Sequence, residues 1–462
     1  MGKSYVATET TQLSIKGTVE DTNDKVGSVK STGEDTNTKI TSAKTTAEDT
    51  NTKVGSVKGT VEATQTTVNS ILSELQGQRP KRYGFRVKIS ESSPANRVEY
   101  LYDAVGLTPA YMNFGTGFNF GSWADIWFVK NNFPCMVKSN GAVDYQLNPN
   151  DYSKKADGTS SDVANTSYDG NAMSAIPCVW YKRWTDGDYY YFVACEEQYD
   201  ETYYADVHTD ENGIVQPYKY VAIFKGSLDS NNKLRSLSGK APMQNAQASN
   251  ELTYAQNNGS AWTIKEWGVW NLIADLLILM GKSTDSQSVY GQGHTTGGSS
   301  ASDLMTTGSL NAAGQFYGYS DTTHAVKVFH LENWWGDRWD RIVGLVVVNG
   351  VAKAQMNSKG NAYNFTGSGY ATMGAVMAAS GYQVREYSGR LGTVPTATDA
   401  GGSSSQYECD YFWLNASITA VALVGGFCAC GAGCGARALS CCNAASDAYW
   451  HIGASLSLKN PS

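Results

Sequence analysis

A pattern of fourteen residues repeats through residues 17–58, and a looser copy continues to residue 72. The copies read GTVEDTNDKVGSVK, STGEDTNTKITSAK and TTAEDTNTKVGSVK. Fourteen residues are two heptads, so apolar and small residues fall at positions a and d of a coiled coil. The a positions are Val19, Val26, Gly33, Ile40, Ala47, Val54, Val61, Val68 and Leu75, and the d positions are Thr22, Val29, Thr36, Ala43, Thr50, Val57, Thr64 and Ile71. Because β-branched residues at both positions favour three strands, the repeat predicts a slender trimeric stalk.

A disordered, threonine-rich linker is the alternative interpretation of this segment. Thr, Val and Gly are poor helix formers, and Gly33 falls on the seam itself. Both interpretations make residues 1–79 an attachment segment and spacer, because no cluster of site-forming side chains occurs there. Pro80 then ends the helical pattern.

After Pro80 the apolar residues alternate with polar residues, as they do in half-buried strands. Phe85, Val87 and Ile89 begin this pattern, which continues to about residue 255. The dipeptide Asp186-Gly187 joins two aromatic-rich runs and predicts a tight hairpin. Residues 80–255 are therefore predicted to form a β-rich middle region.

One apolar helix is predicted near the start of the third region, over residues 264–280. Thr263 and Glu266 match a capping box at its start, and Gly281 is placed to end it. Nearly all faces of this helix are apolar, so we expect burial on several sides. Strand-like runs follow, and residues 256–462 form the third region. The chain is thus expected to have a β-rich α+β fold.

The net charge and the length of the apolar runs make a nucleic-acid partner and membrane insertion unexpected. Charged residues make up 17% of the chain and aromatic residues 11%, which is typical of β-rich proteins. The net charge of −7 comes with no basic stripe, so a nucleic-acid partner is not expected. The longest apolar run, LIADLLILMG, is short and interrupted by Asp275, so membrane insertion is not expected either. The amino terminus lacks the apolar run of a secretory signal, so we expect synthesis in a reducing cytosol with free thiols.

Motifs for catalysis are sparse. No two of the five histidines share the spacing of a helical metal pair, and neither H-E-x-x-H nor G-x-S-x-G occurs. Glu332, Asp337 and Asp340 in ENWWGDRWDR are candidates for acid–base chemistry. The alternative is that Asp337 and Asp340 orient Arg338 and Arg341 and fix an aromatic corner. We therefore expect no enzymatic activity, with a glycan-degrading enzyme as the alternative.

Five of the nine cysteines lie within fifteen residues near the carboxy terminus. They are Cys428, Cys430, Cys434, Cys441 and Cys442, in the pattern C-x-C-x3-C-x6-C-C. Zinc sites usually have C-x2-to-4-C pairs separated by a loop, and an iron–sulfur site needs four converging thiolates. The pattern fits neither well, although the glycines between the cysteines permit tight wrapping around a metal. Small buried thiols in a core are the alternative. No cofactor or metal is expected.

The carboxy-terminal stretch ALVGGFCACGAGCGARALSCCNAASDAYWHIGASLSL resembles the variable region of proteins that are diversified by retroelements that mutate adenines. The residues that carry the resemblance are Gly425, Gly426, Gly435–Arg437, Asn443–Ser446, Trp450 and Ile452–Ser455. Two further segments, TIKEW and WGDRWDRIVG, are similar to the formylglycine-generating-enzyme branch of the C-type-lectin fold. The resemblance implies a C-type-lectin-like domain over residues 256–462, with a variable region at 420–458.

The same resemblance implies which residues vary and which are fixed. Template codons of the form AAY become NNY in this family, and these codons never encode Trp, Met, Lys, Gln or Glu. From Phe427 to His451, Trp450 is the only residue of that excluded set. The predicted variable, receptor-contacting positions are Phe427, Cys428, Ala429, Cys430, Cys434, Ser440, Cys441, Cys442, Asp447, Tyr449 and His451. The predicted scaffold positions are Gly425, Gly426, Arg437, Trp450, Ile452 and Gly453.

Phage members of this family are trimeric receptor-binding proteins at the tips of tail fibres. The resemblance therefore implies a tail-fibre or tail-tip adhesin of the virion, made in the host cytoplasm. Its expected partners are a bacterial surface receptor (protein or glycan), two further copies of the chain, and other tail proteins bound through the amino terminus. A tail-associated glycan-degrading enzyme and a copper-thiolate oxidase on the same fold are the alternatives.

Overall fold

The amino-terminal repeat is helical wherever the structure describes it. The computed structural model describes residues 16–28, 32, 47–77, 79–377, 379–398 and 401–459. Residues 16–28 form helix α1, and Ala47–Gly77 form helix α2. The least exposed positions of α1 are Val19, Thr22 and Val26, which are three consecutive seam positions of the predicted coiled coil.

Seam residues of the two helices lie together. Val19 and Thr22 of α1 line one groove with Val61, Thr64 and Val68 of α2. Another seam residue, Val57, has 42% of its surface exposed. The trimeric stalk stays a prediction, and the seam positions at 29, 33, 36, 40 and 43 lie outside the described residues.

Contacts between Cα atoms divide the chain into two units. One is Met1–Pro80 with Tyr199–Thr202, and the other is Lys81–Gln198 with Tyr203–Ser462. The second unit contains helices α3 (Trp127–Lys130), α4 (Ala248–Gln256), α5 (Trp267–Gly281) and α6 (Ser286–Tyr290). Its strands are β1 (Arg82–Lys88), β2 (Val98–Tyr102), β3 (Tyr111–Asn113), β4 (Gly117–Asn119), β5 (Phe133–Lys138), β6 (Val143–Asn148), β7 (Asp151–Lys155), β8 (Gly170–Pro177), β9 (Trp180–Asp186), β10 (Tyr189–Cys195), β11 (Tyr218–Ala222), β12 (Ser227–Leu228), β13 (Leu234–Arg235), β14 (Trp262–Ile264), β15 (Lys327–Val328), β16 (Leu331–Glu332), β17 (Trp339–Val348), β18 (Val351–Ala354), β19 (Ala371–Val376), β20 (Gly381–Gly389), β21 (Gly392–Thr398), β22 (Tyr411–Leu414), β23 (Thr419–Val424), β24 (Leu439–Asn443), β25 (Ile452–Gly453) and β26 (Leu456–Leu458). The β-rich α+β class expected from the sequence is confirmed.

Three larger sheets organise the described part of the second unit. One has the order β2-β1-β10-β9, the next β14-β26-β11-β8-β5-β6-β7, and the third β19-β18-β17-β23-β24-β22-β20-β21 with β25 beside β17. The second sheet joins strands from both sides of residue 255, because β14 and β26 follow it and β11, β8 and β5 precede it. The predicted middle and carboxy-terminal regions therefore share one unit.

Helix α5 lies at the centre of the main core. Every residue from Trp267 to Met280 is buried, as expected for a helix whose faces are nearly all apolar. The core cluster around α5 combines Phe85 and Phe192 of the first sheet with Phe412 and Leu439 of the third. No helix within the described ranges is long and apolar enough to cross a membrane.

The start of α5 differs from the predicted capping box. Residues Trp262–Ile264 form strand β14, which pairs with β26, and the helix begins at Trp267 with Glu266 as its N-cap. The Glu266 carboxylate accepts hydrogen bonds from Tyr363 at 2.9 Å and Ser457 at 2.6 Å. These tertiary contacts replace the local one that the sequence pattern predicted. The helix does end at Gly281, followed by Lys282 in the left-handed conformation.

The hairpin predicted at Asp186-Gly187 is present, with its turn one residue later: Asp186 ends β9, and Gly187 and Asp188 form the turn. Strands β9 and β10 pair antiparallel, with Tyr189 opposite Asp186, and Gly187 has a φ of 57°. That positive φ is the conformation for which glycine is favoured in a two-residue turn.

A buried polar cluster lies between the first and third sheets. Arg97 contacts Glu408 at 3.0 Å and Glu386 at 3.8 Å, and the Tyr190 hydroxyl donates to Glu408 at 2.9 Å. One guanidinium therefore faces two carboxyl groups. The pKa of Glu386 is raised well above its ordinary value of about 4.5. Burial is the largest cause, and repulsion from the neighbouring Glu408 carboxylate is the second.

Replacing Glu386 by Gln should change how stability depends on pH. The folded chain keeps a proton on Glu386 at pH values where the unfolded chain releases it. The stability gained from this extra bound proton is therefore fully present below about pH 4.5. It is lost as the pH rises through the raised pKa of Glu386. Urea unfolding between about pH 5 and about pH 8 should show the stability of wild type falling relative to that of Glu386→Gln. The exposed Glu197→Gln serves as control, and parallel profiles for wild type and Glu386→Gln would contradict the assignment.

Candidate binding surface

An ion pair in the core anchors residues 420–458, here called the carboxy-terminal segment. The Arg437 guanidinium contacts one carboxylate oxygen of Asp275 in α5 and lies 3.2 Å from the Asn271 side-chain oxygen. Arg183 of β9 contacts the other oxygen of Asp275 at 2.5 Å. All four side chains are buried. The segment is thus fixed to the central helix by charge-assisted hydrogen bonds.

The predicted scaffold glycines lie where a side chain does not fit. Gly425 and Gly426 have φ values of 89° and 85°. A Cβ on Gly426 would lie 2.2 Å from the Cys434 sulfur, and a Cβ on Gly453 would lie 2.4 Å from the Met243 carbonyl oxygen. Contacts this short mean that neighbouring atoms must shift if either glycine gains a side chain. Ile452 is fully buried.

Strand β24 carries the centre of the segment between two other strands. It pairs antiparallel with β23 and parallel with β22, with Trp413 opposite Ser440. Side chains alternate between the two faces of a strand. Leu439 and Cys441 accordingly lie in the main core, and Cys442 is half-buried on the opposite face.

The predicted variable residues divide into three groups by exposure. Buried are Cys428, Cys434, Ser440 and Cys441; half-buried are Phe427, Cys430, Cys442, Asp447 and His451; exposed are Ala429 and Tyr449. The four buried side chains do not reach the surface. A contact surface built from this segment therefore consists of the other seven.

Aromatic rings of the segment form one cluster, here called the aromatic patch: Phe427, Tyr449, Trp450 and His451. The ring centroids of Phe427 and His451 are 4.5 Å apart, and those of Tyr449 and His451 are 5.6 Å apart with the planes nearly parallel. The Trp450 ring meets Phe427 edge-on at 5.7 Å. Trp450 was predicted as scaffold, and here it is half-buried within the patch. Burial lowers the pKa of His451, which favours the neutral imidazole.

Three further aromatic residues, none of them among the predicted variable positions, lie on strands of the third sheet, which also contains β24. Tyr382 of β20 lies 5.1 Å from Tyr411 of β22, and Tyr411 lies 4.5 Å from Trp413, measured between ring centroids. We call these three residues the aromatic row. Trp413 and Phe427 pack against one small cluster formed by Trp339, Leu423 and Ile452. The sequence signal for the row was the alternation in Tyr411-Phe412-Trp413, whose middle residue is fully buried.

Two of the clustered cysteines interact through their thiols. A hydrogen bond from Cys434 lowers the pKa of Cys430, which is half-buried, whereas burial raises the pKa of Cys434 well above its ordinary value. Burial also raises the pKa of Cys428, to about 12. Within the residues that the structure describes, no group of three or more His, Cys, Asp or Glu side chains is arranged to hold a metal ion.

The three carboxylates considered for acid–base chemistry are buried and already bonded. Glu332 accepts backbone N–H groups of Gly308 and Leu310, Asp337 contacts His294 and the Met305 N–H, and Asp340 contacts Lys225, Lys265 and Arg338. The predicted pairing of Asp340 with Arg338 is thus present, at 2.9 Å. Arg341 pairs instead with Glu251 at 3.2 Å, because α4 brings that carboxylate into the core.

Comparison with known proteins gives distant structural similarity only. No protein-family model and no curated protein matches the chain. Among solved structures, the chain is similar to the "Major Tropism Determinant P3c Variant", with 11% identity over 71% of each chain and a TM-score of 0.28. At this distance the likeness assigns neither fold nor function, so the proposals below depend on the residues of this chain.

Gly435→Ala should destabilise the chain far more than Gly431→Ala. Both glycines have positive φ, but a Cβ on Gly435 would lie 2.0 Å from a carboxylate oxygen of buried Asp410, which also accepts the Arg437 N–H. Nothing lies within 4 Å of a Cβ on Gly431. We expect losses of about 3 kcal/mol and about 1 kcal/mol respectively in the free energy of unfolding, measured in urea. Equal losses would contradict the packing described for Gly435.

Proposed function

We propose that this chain is a phage tail-fibre or tail-tip adhesin whose carboxy-terminal segment binds a receptor on a bacterial surface. The observation that carries the proposal is the division within that segment. Gly425, Gly426 and Arg437 are buried and fixed, whereas residues predicted to vary contribute to a partly exposed aromatic patch. A rigid frame with a changeable surface is what a diversified binding protein requires, and the proposal includes no catalytic step.

We further propose that residues 256–462 are C-type-lectin-like, of the formylglycine-generating-enzyme type, and that retroelement mutagenesis diversifies residues 420–458. Support comes from where the resembling residues lie. Glu266 of TIKEW occupies the N-cap position of the central helix, Arg338 of WGDRWDRIVG lies in the buried ion cluster, and Gly453 packs against the guanidinium of Arg338. Residues with such structural roles tolerate little change. The resemblance therefore rests on framework positions.

The helical repeat is proposed to join three copies of the chain, with its amino terminus attached to other tail proteins of a virion made in the host cytoplasm. Seam residues such as Val57 remain exposed in the single chain, and burial against two further copies would cover them. Three surfaces on one assembly would bind a cell together with an affinity well above that of one surface.

The proposed function predicts that Tyr449→Ala weakens binding to host cells. Purified full-length chain, fluorescently labelled, is incubated with a panel of bacterial strains and measured by flow cytometry. Tyr449 and Tyr111 are each 46% exposed, so Tyr111→Ala on strand β3 is a matched control. We expect Tyr449→Ala to reduce binding about tenfold, since aromatic residues dominate such contacts, and Tyr111→Ala to leave it unchanged. Equal effects of the two substitutions would contradict a role for the patch.

The stalk proposal predicts that Val61→Asp dissociates the trimer. Light scattering on the intact chain should give three times the chain mass of 49.8 kDa. Val61 is a seam residue and Thr60 is its exposed neighbour, so Thr60→Asp introduces the same charge outside the seam. We expect the mass of Val61→Asp to fall to that of one chain, because an aspartate on the seam is desolvated and repelled by its copies. A wild-type monomer would refute the trimer.

A second candidate is a copper-thiolate oxidase that would use the thiols of Cys430 and Cys434, whose interaction lowers the pKa of Cys430. Two adjacent thiols are soft donors that suit Cu(I), which would supply oxygen chemistry when bound. This candidate predicts that stoichiometric copper is retained after purification and lost in Cys430→Ser and in Cys434→Ser. Cys442→Ser, which alters a half-buried thiol of the same segment, should retain the copper. Metal-free protein after reconstitution with Cu(I) would exclude the oxidase.

A further inference from the structure

The aromatic row is a rigid feature of the third sheet. Tyr382 and Tyr411 are paired across neighbouring strands, and Trp413 follows Tyr411 on the same face of β22. The intervening Phe412 is fully buried in the main core, which holds the strand in place. The three rings are half-buried, so each presents part of its surface to solvent.

The ring of Trp413 is held by contacts on two sides. The buried Trp339 ring meets it edge-on at 5.2 Å, with an interplanar angle of 90°. The backbone of Gly433 approaches so closely that a Cβ there would lie 3.3 Å from the indole. A ring fixed in this way loses little conformational entropy when a ligand stacks on it.

Polar groups of the row are available to a ligand. The indole N–H of Trp413 and the hydroxyl of Tyr411 have no hydrogen-bond partner among the described residues, and neither is a buried atom. The same holds for the hydroxyl of Tyr449 in the aromatic patch. The surface thus combines apolar ring faces with free donors, a pairing that suits a molecule with both C–H and O–H groups.

Free ionised side chains are few in the part of the chain that carries Tyr411 and Trp413, although Arg385 is exposed on the strand that carries Tyr382. Residues 391–458 contain five charged residues, of which Glu408, Asp410 and Arg437 are buried. Asp447 is half-buried, and its carboxylate accepts hydrogen bonds from the Asn443 side chain and the Ala444 N–H. Asp399 lies outside the described residues. A charged ligand would therefore find no free counter-charge among the described residues of this segment.

We propose that the aromatic row is a binding site for uncharged hexose rings of a bacterial surface glycan. The apolar face of a hexose carries C–H groups that are weakly positive, and these complement the negative face of an aromatic ring. Its hydroxyl groups can accept from the Trp413 N–H and bond to the Tyr411 hydroxyl. A glycan receptor is one class of the receptor named in the proposed function, so this inference rests on that function. The row would add anchoring residues that lie outside the segment predicted to vary.

A protein receptor matches these observations less well. Protein interfaces surround their aromatic anchors with a polar rim, and opposite charges across the rim fix the docked orientation. The described residues of 391–458 offer no free charge of this kind, so Arg385 of β20 is the exposed charge nearest in sequence to the row. The second test below is therefore designed so that one of its results would identify a protein receptor.

The first test measures sugar binding to the intact chain directly. D-glucose, D-galactose and N-acetylglucosamine are titrated in saturation-transfer NMR, with D-glucuronate as the charged comparator. Trp184 of β9 is another half-buried tryptophan that stacks on a neighbouring tyrosine, so Trp184→Ala is the matched control. We expect a neutral sugar to bind wild type and Trp184→Ala alike, and Trp413→Ala to weaken binding about tenfold. Trp413→Phe, which restores a ring face, should recover most of the affinity.

Three results of that test would overturn the inference. They are the absence of saturation transfer to every neutral sugar, an equal loss in Trp184→Ala and Trp413→Ala, and glucuronate binding as strong as that of the neutral sugars. Because Trp413→Ala leaves space beside Gly433, recovery in Trp413→Phe separates loss of the ring face from a local rearrangement. Tyr411→Ala provides a second variant, for which we expect a loss in the same direction.

The second test uses cells that bind the chain. Periodate treatment, which oxidises glycan diols, should abolish binding, and protease treatment should not. The opposite result would identify a protein receptor, so the adhesin function would stand while the glycan inference fell. If no strain binds but neutral sugars still require Trp413, the sugar site stands and the adhesin function falls.

Discussion

The carboxylate of Asp275 is the constraint on which the architecture depends. It interrupts the apolar sequence of α5, and a single buried carboxylate in such surroundings is costly unless it is paired. Arg183 comes from a hairpin early in the chain and Arg437 from the segment near its end. Neither guanidinium has another carboxylate within contact distance among the described ion pairs. The helix, the first sheet and the carboxy-terminal segment are therefore correctly placed together or not at all.

Because this ion pair fixes Arg437, the backbone of the neighbouring strand β24 has a defined position. Strand β24 is held between β22 and β23, and glycines on either side of the cysteine cluster make close approaches that larger residues do not permit. Side-chain identity at the surface is thus separated from backbone shape. The aromatic patch and the aromatic row rest on the same sheet, although only the patch belongs to the segment predicted to vary.

Sequence patterns identified those elements that local interactions determine. The Asp186-Gly187 hairpin and the end of α5 at Gly281 follow from backbone conformations that glycine permits. The start of α5 was displaced because Thr263 pairs with Ser457 in a strand nearly two hundred residues away, which no local pattern reveals. The partner of Arg341 was missed for the same reason.

The candidate site was predictable in part. Framework positions were inferred from a resemblance, and the structure gives Gly426, Arg437 and Gly453 close contacts that the sequence did not specify. Exposure was not predictable, since four of the proposed variable side chains lie in the interior. If mutagenesis draws residues at Cys434 or Cys441, a charged draw would remove the folded state before any receptor is met. Under such mutagenesis the buried positions would set the fraction of a diversified population that survives as protein, so packing as well as the genetic code would limit the size of the usable repertoire.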